Sequence, residues 1–438
     1  MTKIITRNKM RTTNLITLGA LCLLTMLAGC KGTPQKTVSE DAAEEEEVQT
    51  IFWLNEEQQN IIRNGNDFSI KLFRKIAEEE GKKNVFVSTI GMYYSLNIIN
   101  NGASGRTRQE ICDALNIDTT DIDRVNKICR ILMKGQERIT ENEEDGPSSY
   151  MRTATIFQAG KHVDIDKSFQ KVLEHDYSAG IIKGDVDADC QRRIDEWCAK
   201  HTDGLLSSFP LTQRDDRSAN LLVANFFNGR WAQEFDKEDT KAEPFHGGTS
   251  AKVSMMNMTE SEKLFSYAEL KDFSLLRIPY VGGYRLYVIL PKKVDGLKAL
   301  LQSLDGEKLR TAIGQLKSYD IVYVKIPKFE VEYSFNANDY LSSLGVGRMF
   351  TESAELNRIQ PEPMIIKDII QKTRVILDED GTRAGAITSS SFLTLGEVSK
   401  PTEAYFYADH PFAYIIEDPF GSYCFMGTFW GGGNVSGE

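Results

Sequence analysis

Helical patterns come first along this chain and strand patterns come later, and this order limits the fold more than any other feature of the sequence. From about residue 64 to 139, apolar side chains recur at helical spacing, and Gly81 is predicted to end the first helix. A turn is predicted at Asn101-Gly102, and the acidic segment Glu141–Gly146 is predicted to be a loop. Beyond residue 218, runs typical of buried strands dominate, at 221–227, 285–290 and 321–326, with short helices predicted at 297–304 and 337–344. The sequence has no regular strand–helix alternation and no repeat. It therefore predicts one α+β domain built around large mixed sheets.

The first 29 residues have the pattern of an export signal. Four basic residues precede an uncharged apolar run over residues 15–27, which is shorter than the ~20 residues that a membrane-spanning helix needs. The run ends in Leu27-Ala28-Gly29-Cys30, which resembles the bacterial lipobox, whose cysteine receives lipid and becomes the mature N-terminus. We predict a signal peptide over 1–29 and lipid attachment, such as palmitate, at Cys30. An uncleaved anchor helix is the alternative, and both imply membrane anchorage.

The predicted location is outside the cytoplasm, and the charge fits no nucleic-acid partner. Removing residues 1–29 changes the net charge from −11 to −15, which disfavours binding to a polyanion. Residues 30–63, with the acidic run Glu44–Glu47, are predicted to form a polar tether because they cannot bury enough apolar surface to fold. The lipid would then hold an extracellular or periplasmic domain on a bacterial membrane, at the outer membrane or cell surface.

Cysteine chemistry and catalysis leave few signals. Five cysteines lie beyond Cys30, and their odd number and scatter predict buried free thiols, with one disulfide left open: Cys112, Cys129, Cys190, Cys198 and Cys424. The sequence contains no G-x-S-x-G, G-x-x-x-x-G-K or H-E-x-x-H motif. Glu243, His246 and Asp409 could be imagined as ligands or as a base with an orienting partner, but nothing in the sequence brings them together. We predict no metal, no cofactor and no enzymatic activity.

Six segments, taken in order, resemble the serpin family at that family's spacing. The segments are Asn84–Ser88 with Gly102–Ile111, Phe226–Trp231 with Phe235 and Phe245, Ile326–Phe329, Leu344–Val346 with Phe350, Asp409–Phe412, and Phe425–Gly427. The resemblance covers about residues 65–430. It implies the serpin fold, with three β-sheets, eight or nine helices and an exposed reactive-centre loop at about 379–405. The predicted domain spans 64–431 and is followed by a short tail, 432–438.

The segment from Leu377 to Thr388 resembles the hinge of the serpin reactive loop. In a strand, alternate side chains share one face, so the face that carries Thr382, Ala384, Ala386 and Thr388 is small throughout. Such a face can slide between two existing strands over a packed core. A flexible linker of the same composition is the alternative. The predicted hinge residues are Glu379, Gly381, Thr382, Ala384, Ala386 and Thr388.

The resemblance implies suicide inhibition of serine proteases, with cysteine proteases as an open alternative. At the usual spacing from Glu379, the scissile bond lies between Leu395 and Gly396. Phe392 and Leu393 are alternative bait residues, and so is Lys400, although Pro401 follows it. These apolar residues favour an elastase-like or chymotrypsin-like target. The protein is expected to be a monomer.

The chain departs from the family at positions thought to control opening of the main sheet. Ser88 matches, whereas Gly91, Val223 and Gln371 stand where the family usually has Ser, Asn and His. These departures are expected to change the kinetics of sheet opening more than the mechanism. A non-inhibitory serpin-fold protein that binds or scaffolds at the surface is the second functional hypothesis, and the small hinge residues favour the inhibitor.

Overall fold

Nine α-helices and eighteen strands make up the part of the chain that the structure, a computed structural model, describes: residues 54–139, 141–142, 146–202, 204, 208–209, 217–382 and 400–432. The helices are α1 (Glu56–Glu80), α2 (Thr89–Gly102), α3 (Gly105–Leu115), α4 (Ile122–Glu137), α5 (Lys167–Tyr177), α6 (Ala188–His201), α7 (Leu297–Ser303), α8 (Gly306–Ile313) and α9 (Asn338–Ser343). The strands are β1 (Val85–Val87), β2 (Glu141–Asn142), β3 (Gly146–Pro147), β4 (Tyr150–Ala159), β5 (Gly180–Lys183), β6 (Ser218–Arg230), β7 (Lys241–Pro244), β8 (Lys252–Glu260), β9 (Ser266–Glu269), β10 (Phe273–Pro279), β11 (Arg285–Pro291), β12 (Ile321–Pro327), β13 (Phe329–Asn336), β14 (Ile365–Leu377), β15 (Gly381–Thr382), β16 (Glu403–Tyr407), β17 (Phe412–Glu417) and β18 (Tyr423–Phe429). Short 3-10 helices lie at Lys237–Asp239 and Arg348–Phe350.

Three large sheets organise these strands. The main sheet has the order β13-β14-β6-β4-β5, with β15 pairing at the end of β6. The second sheet has the order β1-β18-β17-β11-β10-β9, and the third sheet has the order β16-β12-β8-β7. Strands β2 and β3 pair separately as a small ribbon. The predicted α+β class, with three sheets and eight or nine helices, is confirmed over the described residues.

Three local predictions differ from the structure. Helix α1 begins at Glu56 behind an Asn55–Gln58 capping box, inside the stretch assigned to the tether, because the polar run 63–67 interrupts the apolar pattern after Ile61 and Ile62. Gly102 was predicted to lie in a turn, but it ends α2, where a Cβ would approach Ile359 Cγ1 to 2.2 Å. Its small size therefore serves close packing. The segment 141–146 was predicted as a loop, but its ends pair as β2 and β3.

The main sheet is covered on both faces. Leu221, Val223 and Phe227 of β6 point into the main core, whereas Leu222 and Ala224 point to a smaller cluster beneath α6. This alternation is the period of two that a strand imposes. A strand added beside β6 would therefore also meet packed side chains on both faces.

The thiol prediction is confirmed. Cys112, Cys129, Cys190, Cys198 and Cys424 are all free and buried. Burial raises the pKa of Cys129 to about 12, which keeps this thiol neutral and unreactive. Within the described residues, no helix is both long and apolar enough to cross a membrane.

Candidate functional site

A seam runs through the main sheet between the parallel strands β14 and β6. Residues 365–374 pair directly with residues 218–226, so no strand lies between them there. The chain then leaves β14 and returns to β6 as β15, where Gly381 and Thr382 pair antiparallel with Arg230 and Gly229. The predicted hinge thus begins at one end of the seam, already paired to one of its two strands.

Gly381 makes this return possible because its backbone has a φ of 137°, a conformation that favours glycine. A Cβ on Gly381 would lie 2.2 Å from the carbonyl oxygen of Gly229 and 2.8 Å from Cα of Arg230. Both contacts are far shorter than side-chain carbons tolerate. The close approach of β15 to β6 therefore requires glycine at this hinge position.

Glu379 anchors the hinge from below. Its side chain is buried, and its carboxylate accepts hydrogen bonds from the Thr240 hydroxyl at 2.7 Å and from Lys328 Nζ at 3.2 Å. Its carbonyl oxygen accepts from the Phe235 amide at 2.9 Å. Burial raises the pKa of the Glu379 carboxyl, but the Thr240 and Lys328 contacts outweigh burial and hold the pKa below its ordinary value. The buried charge is therefore paired at neutral pH.

Trp231 and Lys237 hold the two residues that flank Glu379. The indole Nε1 of Trp231 donates to the Asp378 carbonyl oxygen at 2.9 Å, and its ring stacks on Tyr280 with the centroids 4.3 Å apart. Lys237 Nζ donates to the Asp380 carboxylate at 2.8 Å, and this hydrogen bond raises the pKa of Lys237. The residues before the loop are fixed by side chains from two directions.

A buried polar cluster holds the middle of the seam, and we call it the seam cluster: Ser88, Gly91, Thr153, Asn225 and Gln371. The Gln371 amide accepts from the Ser88 backbone N–H at 2.9 Å and donates to the Ser88 carbonyl oxygen at 2.8 Å. It also donates to Asn225 Oδ1 at 3.2 Å, and Asn225 donates to the Thr153 hydroxyl at 2.9 Å. Side chains from β14, β6 and β4 are thereby joined to the start of α2.

The far end of the loop is clamped to the third sheet. Lys400 is exposed. Thr402, two residues later, donates hydrogen bonds from its backbone N–H at 2.7 Å and from its hydroxyl at 2.8 Å to the Asp320 carboxylate. Lys263 also donates to this carboxylate at 2.8 Å. The hydrogen bonds from Lys263 and Thr402 lower the pKa of Asp320. Both ends of the segment 383–399 are therefore anchored.

Comparison with known proteins gives this arrangement a family. Residues 63–431 match the family model described as Serpin (serine protease inhibitor). The chain is a serpin. It is 29% identical over 388 residues to Serpin-Z10 of Arabidopsis thaliana, covering 84% of this chain and 96% of that protein. It is 27% identical over 363 residues to serine proteinase inhibitor 2 of Variola virus, covering 82% and 98%.

Solved serpin structures have the same fold. The crystal structure of the thermophilic serpin tengpin in its native state matches with a TM-score of 0.74 and 25% identity, over 86% of this chain and 95% of that one. Human kallistatin matches with a TM-score of 0.73 at 18% identity, over 87% and 100%. The second likeness concerns the fold alone.

Several predicted site residues of this serpin lie outside the described residues. They are the bait residues Phe392, Leu393, Leu395 and Gly396, the hinge residues Ala384, Ala386 and Thr388, and the lipid-attachment residue Cys30. Glu379 and Gly381, together with the backbone of Thr382, are described, and they lie together at the end of the seam. Lys400 lies at the opposite anchor.

The imagined ligand set of Glu243, His246 and Asp409 is not assembled as one. The Glu243 carboxylate pairs with Lys325 Nζ at 2.7 Å, and the Asp409 side chain bonds His410 Nδ1 at 2.7 Å. His246 meets Asp409 only through a backbone hydrogen bond. The part of the chain that the structure describes contains no group of three His, Cys, Asp or Glu residues able to hold a metal ion.

Sequence reasoning missed the partners that hold the hinge and the seam. Lys328 was noted only as part of a motif, yet it is the cation beside Glu379, 51 residues away in the chain. Val223 was taken as the departure from a family asparagine, whereas the amide that reaches Gln371 comes from Asn225. Val223 and Asn225 are two residues apart and share a face of β6. The two-residue period of a strand was therefore the sequence signal that could have identified Asn225. Asp320 carried no sequence signal.

Proposed function

We propose that this serpin inhibits serine proteases by inserting its cleaved reactive loop into the seam between β14 and β6. The observation that carries the proposal is the antiparallel pairing of β15 with the end of β6, next to a parallel strand pair with no strand between them. The name of the Variola virus relative, serine proteinase inhibitor 2, supports the same activity.

Continuing the register of β15 aligns the hinge with β6. Counting on from Gly381 opposite Arg230 and Thr382 opposite Gly229, Ala384 would come opposite Phe227, Ala386 opposite Asn225, and Thr388 opposite Val223. Directly opposite residues of an antiparallel pair share a face. The face of β6 in question points into the main core, which supports the requirement for small residues at 384, 386 and 388.

Insertion would also improve the strand pairing. The β14–β6 pair is parallel, and a loop strand entering from the end of β14 would run antiparallel to both neighbours. One parallel ladder would be replaced by two antiparallel ladders, which are slightly more stable per residue. Additional apolar surface would be buried over both faces. These gains supply the free energy for movement of an attached protease.

The chemistry in this mechanism belongs to the target, and the serpin is not itself an enzyme. The nucleophile of the protease attacks the carbonyl carbon of the bait residue, the bait peptide bond breaks, and the new amine leaves with a proton from the protease. Insertion then outruns hydrolysis of the ester. Insertion of a serpin loop is an established example of strand addition that releases stored strain.

A panel of serine and cysteine proteases tests the proposal. The expected result is a complex between the serpin and a serine protease that survives denaturing electrophoresis. Cleavage of the loop by every protease of the panel without any stable complex would instead favour a non-inhibitory serpin. Cysteine proteases in the same panel would extend or limit the target class.

The position of the bait is predicted from the hinge count. An elastase-like or chymotrypsin-like protease should cut after Leu395, with Phe392 and Leu393 as alternative sites, because an apolar primary pocket accepts these side chains. The mass of the released C-terminal fragment identifies the bond. A stable complex formed only with trypsin-like proteases, with cleavage after Lys400 or Arg383, would contradict this assignment.

We also propose that the serpin is lipid-anchored through Cys30 to a bacterial membrane, as a monomer at the outer membrane or cell surface. Replacing Cys30 by alanine should abolish incorporation of labelled palmitate, because the thiol is the acceptor in the lipobox pattern. Fractionation of the two proteins after labelling checks the result. Equal labelling of the alanine variant would refute the anchor.

A further inference from the structure

Two exposed tyrosines and one half-buried tyrosine form an aromatic surface on the third sheet, and we call it the tyrosine patch: Tyr405, Tyr407 and Tyr323. The parallel register of β12 and β16 sets Tyr323 beside Tyr405 and Lys325 beside Tyr407. The rings of Tyr323 and Tyr405 stack with centroids 4.8 Å apart and an angle of 12°, and Tyr405 meets Tyr407 edge-on at 6.2 Å. The patch is thus a continuous surface across two strands.

The exposure of this patch is unusual for large side chains. Tyr405 is 53% exposed and Tyr407 is 40% exposed, and they are two of five large hydrophobic residues exposed among those the structure describes. The intervening residues Ala404 and Phe406 point into the core. The sheet therefore has a well-packed inner face and an aromatic outer face.

Neighbouring charged side chains also contact the rings and hydroxyls of the patch. Lys325 Nζ lies 5.5 Å from the centroid of the Tyr407 ring and is itself fixed by Glu243 at 2.7 Å. The Tyr405 hydroxyl donates to the Glu403 carboxylate at 2.7 Å. Tyrosine rings fixed in this way lose little conformational entropy on association, which is why tyrosine is enriched in protein interfaces.

The reactive loop ends directly beside this patch. The loop returns at Lys400, is clamped at Thr402 and continues into β16 at Glu403. From Gly396 to Glu403 there are seven residues, which span at most about 24 Å when extended. A globular protease of about 220 residues has a diameter of about 45 Å. A protease bound at Leu395 would therefore lie near the start of β16, within reach of the tyrosine patch.

We propose that the tyrosine patch is a second contact surface for the target protease, which it binds while the loop occupies the active site. This inference rests on the proposed function only because it takes a protease as the partner. It does not require inhibition, since any protease that attacks the loop would meet the patch. The patch raises the rate of loop attack. The later choice between trapping and release depends on insertion at the other end of the loop.

The experiment measures the attack on the loop separately from the later choice between trapping and release of the protease. A protease that cuts the loop is mixed with the serpin, and the second-order rate constant of total loop attack is measured as the sum of covalent complex and cleaved serpin. The double variant Tyr405→Ala/Tyr407→Ala should lower this rate constant about tenfold, as loss of a central aromatic contact does, and leave the ratio of complex to cleaved serpin unchanged. Tyr405→Phe/Tyr407→Phe, which keeps the rings, should stay within about twofold of the original protein.

Two further measurements address folding. Tyr405→Thr/Tyr407→Thr preserves strand propensity and should reproduce the slower attack with a melting temperature close to that of the original protein. Val294→Ala removes an exposed side chain from the loop after β11 in the second sheet and should change nothing.

Distinct results would overturn the proposal. An unchanged rate of loop attack with a lowered melting temperature would show that the tyrosines only stabilise the sheet by cross-strand packing. Self-association of the original protein that the threonine variant abolishes would make a second copy the occupant. Slower attack by the protease with no covalent complex in any variant would support the patch and refute inhibition, whereas no attack by any protease would refute both.

Discussion

Replacing Ala384 by arginine is expected to turn the inhibitor into a substrate. In the register continued from β15, Ala384 comes opposite Phe227, whose ring is buried in the main core. Arginine there would carry an unpaired charge into that core at a cost of several kcal/mol. Insertion would become slower than hydrolysis of the acyl-enzyme, so the protease would leave active. The stoichiometry of inhibition and the fraction of covalent complex measure this change.

Arg383 provides the matched control at the adjacent position. Its place opposite Asn228, in the same continued register, would put its side chain on the other face of the sheet. Arg383→Ala and Arg383→Glu should therefore keep nearly the full fraction of covalent complex. If Ala384→Arg still formed the full fraction of covalent complex, the loop would not insert in this register, and the proposed mechanism would be wrong.

Cleavage of the loop gives a second measure of the same step. The original protein should gain thermal stability after cleavage because an inserted strand adds ladder hydrogen bonds and buried area. The Ala384→Arg variant should gain much less. The protease is removed after it has cut the loop, and the melting temperature of the cleaved serpin is then measured alone. This result therefore does not depend on trapping of the protease.

The order of helices and strands in this fold could be predicted from the sequence because each element depends mainly on residues close together in the chain. The runs 285–290 and 321–326 became β11 and β12, and the short helices became α7 and α9, since period and composition act over a few residues. The start of α1 was missed because its polar first turns are held by capping and by a few buried isoleucines.

The site was predictable only in part because its partners are distant in the chain. The hinge itself was visible as a run of small residues. Its anchors depend on pairs such as Glu379 with Lys328 and Thr402 with Asp320, which the fold brings together and no spacing rule reveals. The tyrosine patch likewise requires the parallel register of β12 and β16, which the sequence does not specify.

The seam cluster accounts for the departures from the family pattern as one rearrangement. Asn225 lies two residues after Val223, on the same face of β6, and reaches the Gln371 amide that replaces the usual histidine. A Cβ on Gly91 would lie 2.5 Å from Oδ1 and 2.9 Å from Cγ of Asn225. The side chain missing at Gly91 thus makes the space that Asn225 fills.

This dependence predicts a large loss of stability for Gly91→Ala. The added methyl group would push Asn225 away from Gln371 and Thr153, breaking buried hydrogen bonds and overpacking the seam. Each effect costs about 1–3 kcal/mol, so the free energy of unfolding should fall by about 2–6 kcal/mol. Hydrogen exchange of the β14 amides at 369–374 should accelerate, because these amides lie along the loosened strand pair.

A double-mutant cycle with Asn225→Ala isolates this contact. Asn225→Ala alone should destabilise the protein by leaving a cavity and an unpaired Thr153 hydroxyl. In the double variant the methyl group of residue 91 would enter the vacated space, so its free energy of unfolding should exceed the value expected from adding the two single losses. The coupling should reach at least about 1 kcal/mol, as for other residues in direct contact. The free energies are measured by denaturant unfolding. Additive losses would show that Gly91 and Asn225 act independently and that the packing of Asn225 against Gly91 does not stabilise the seam.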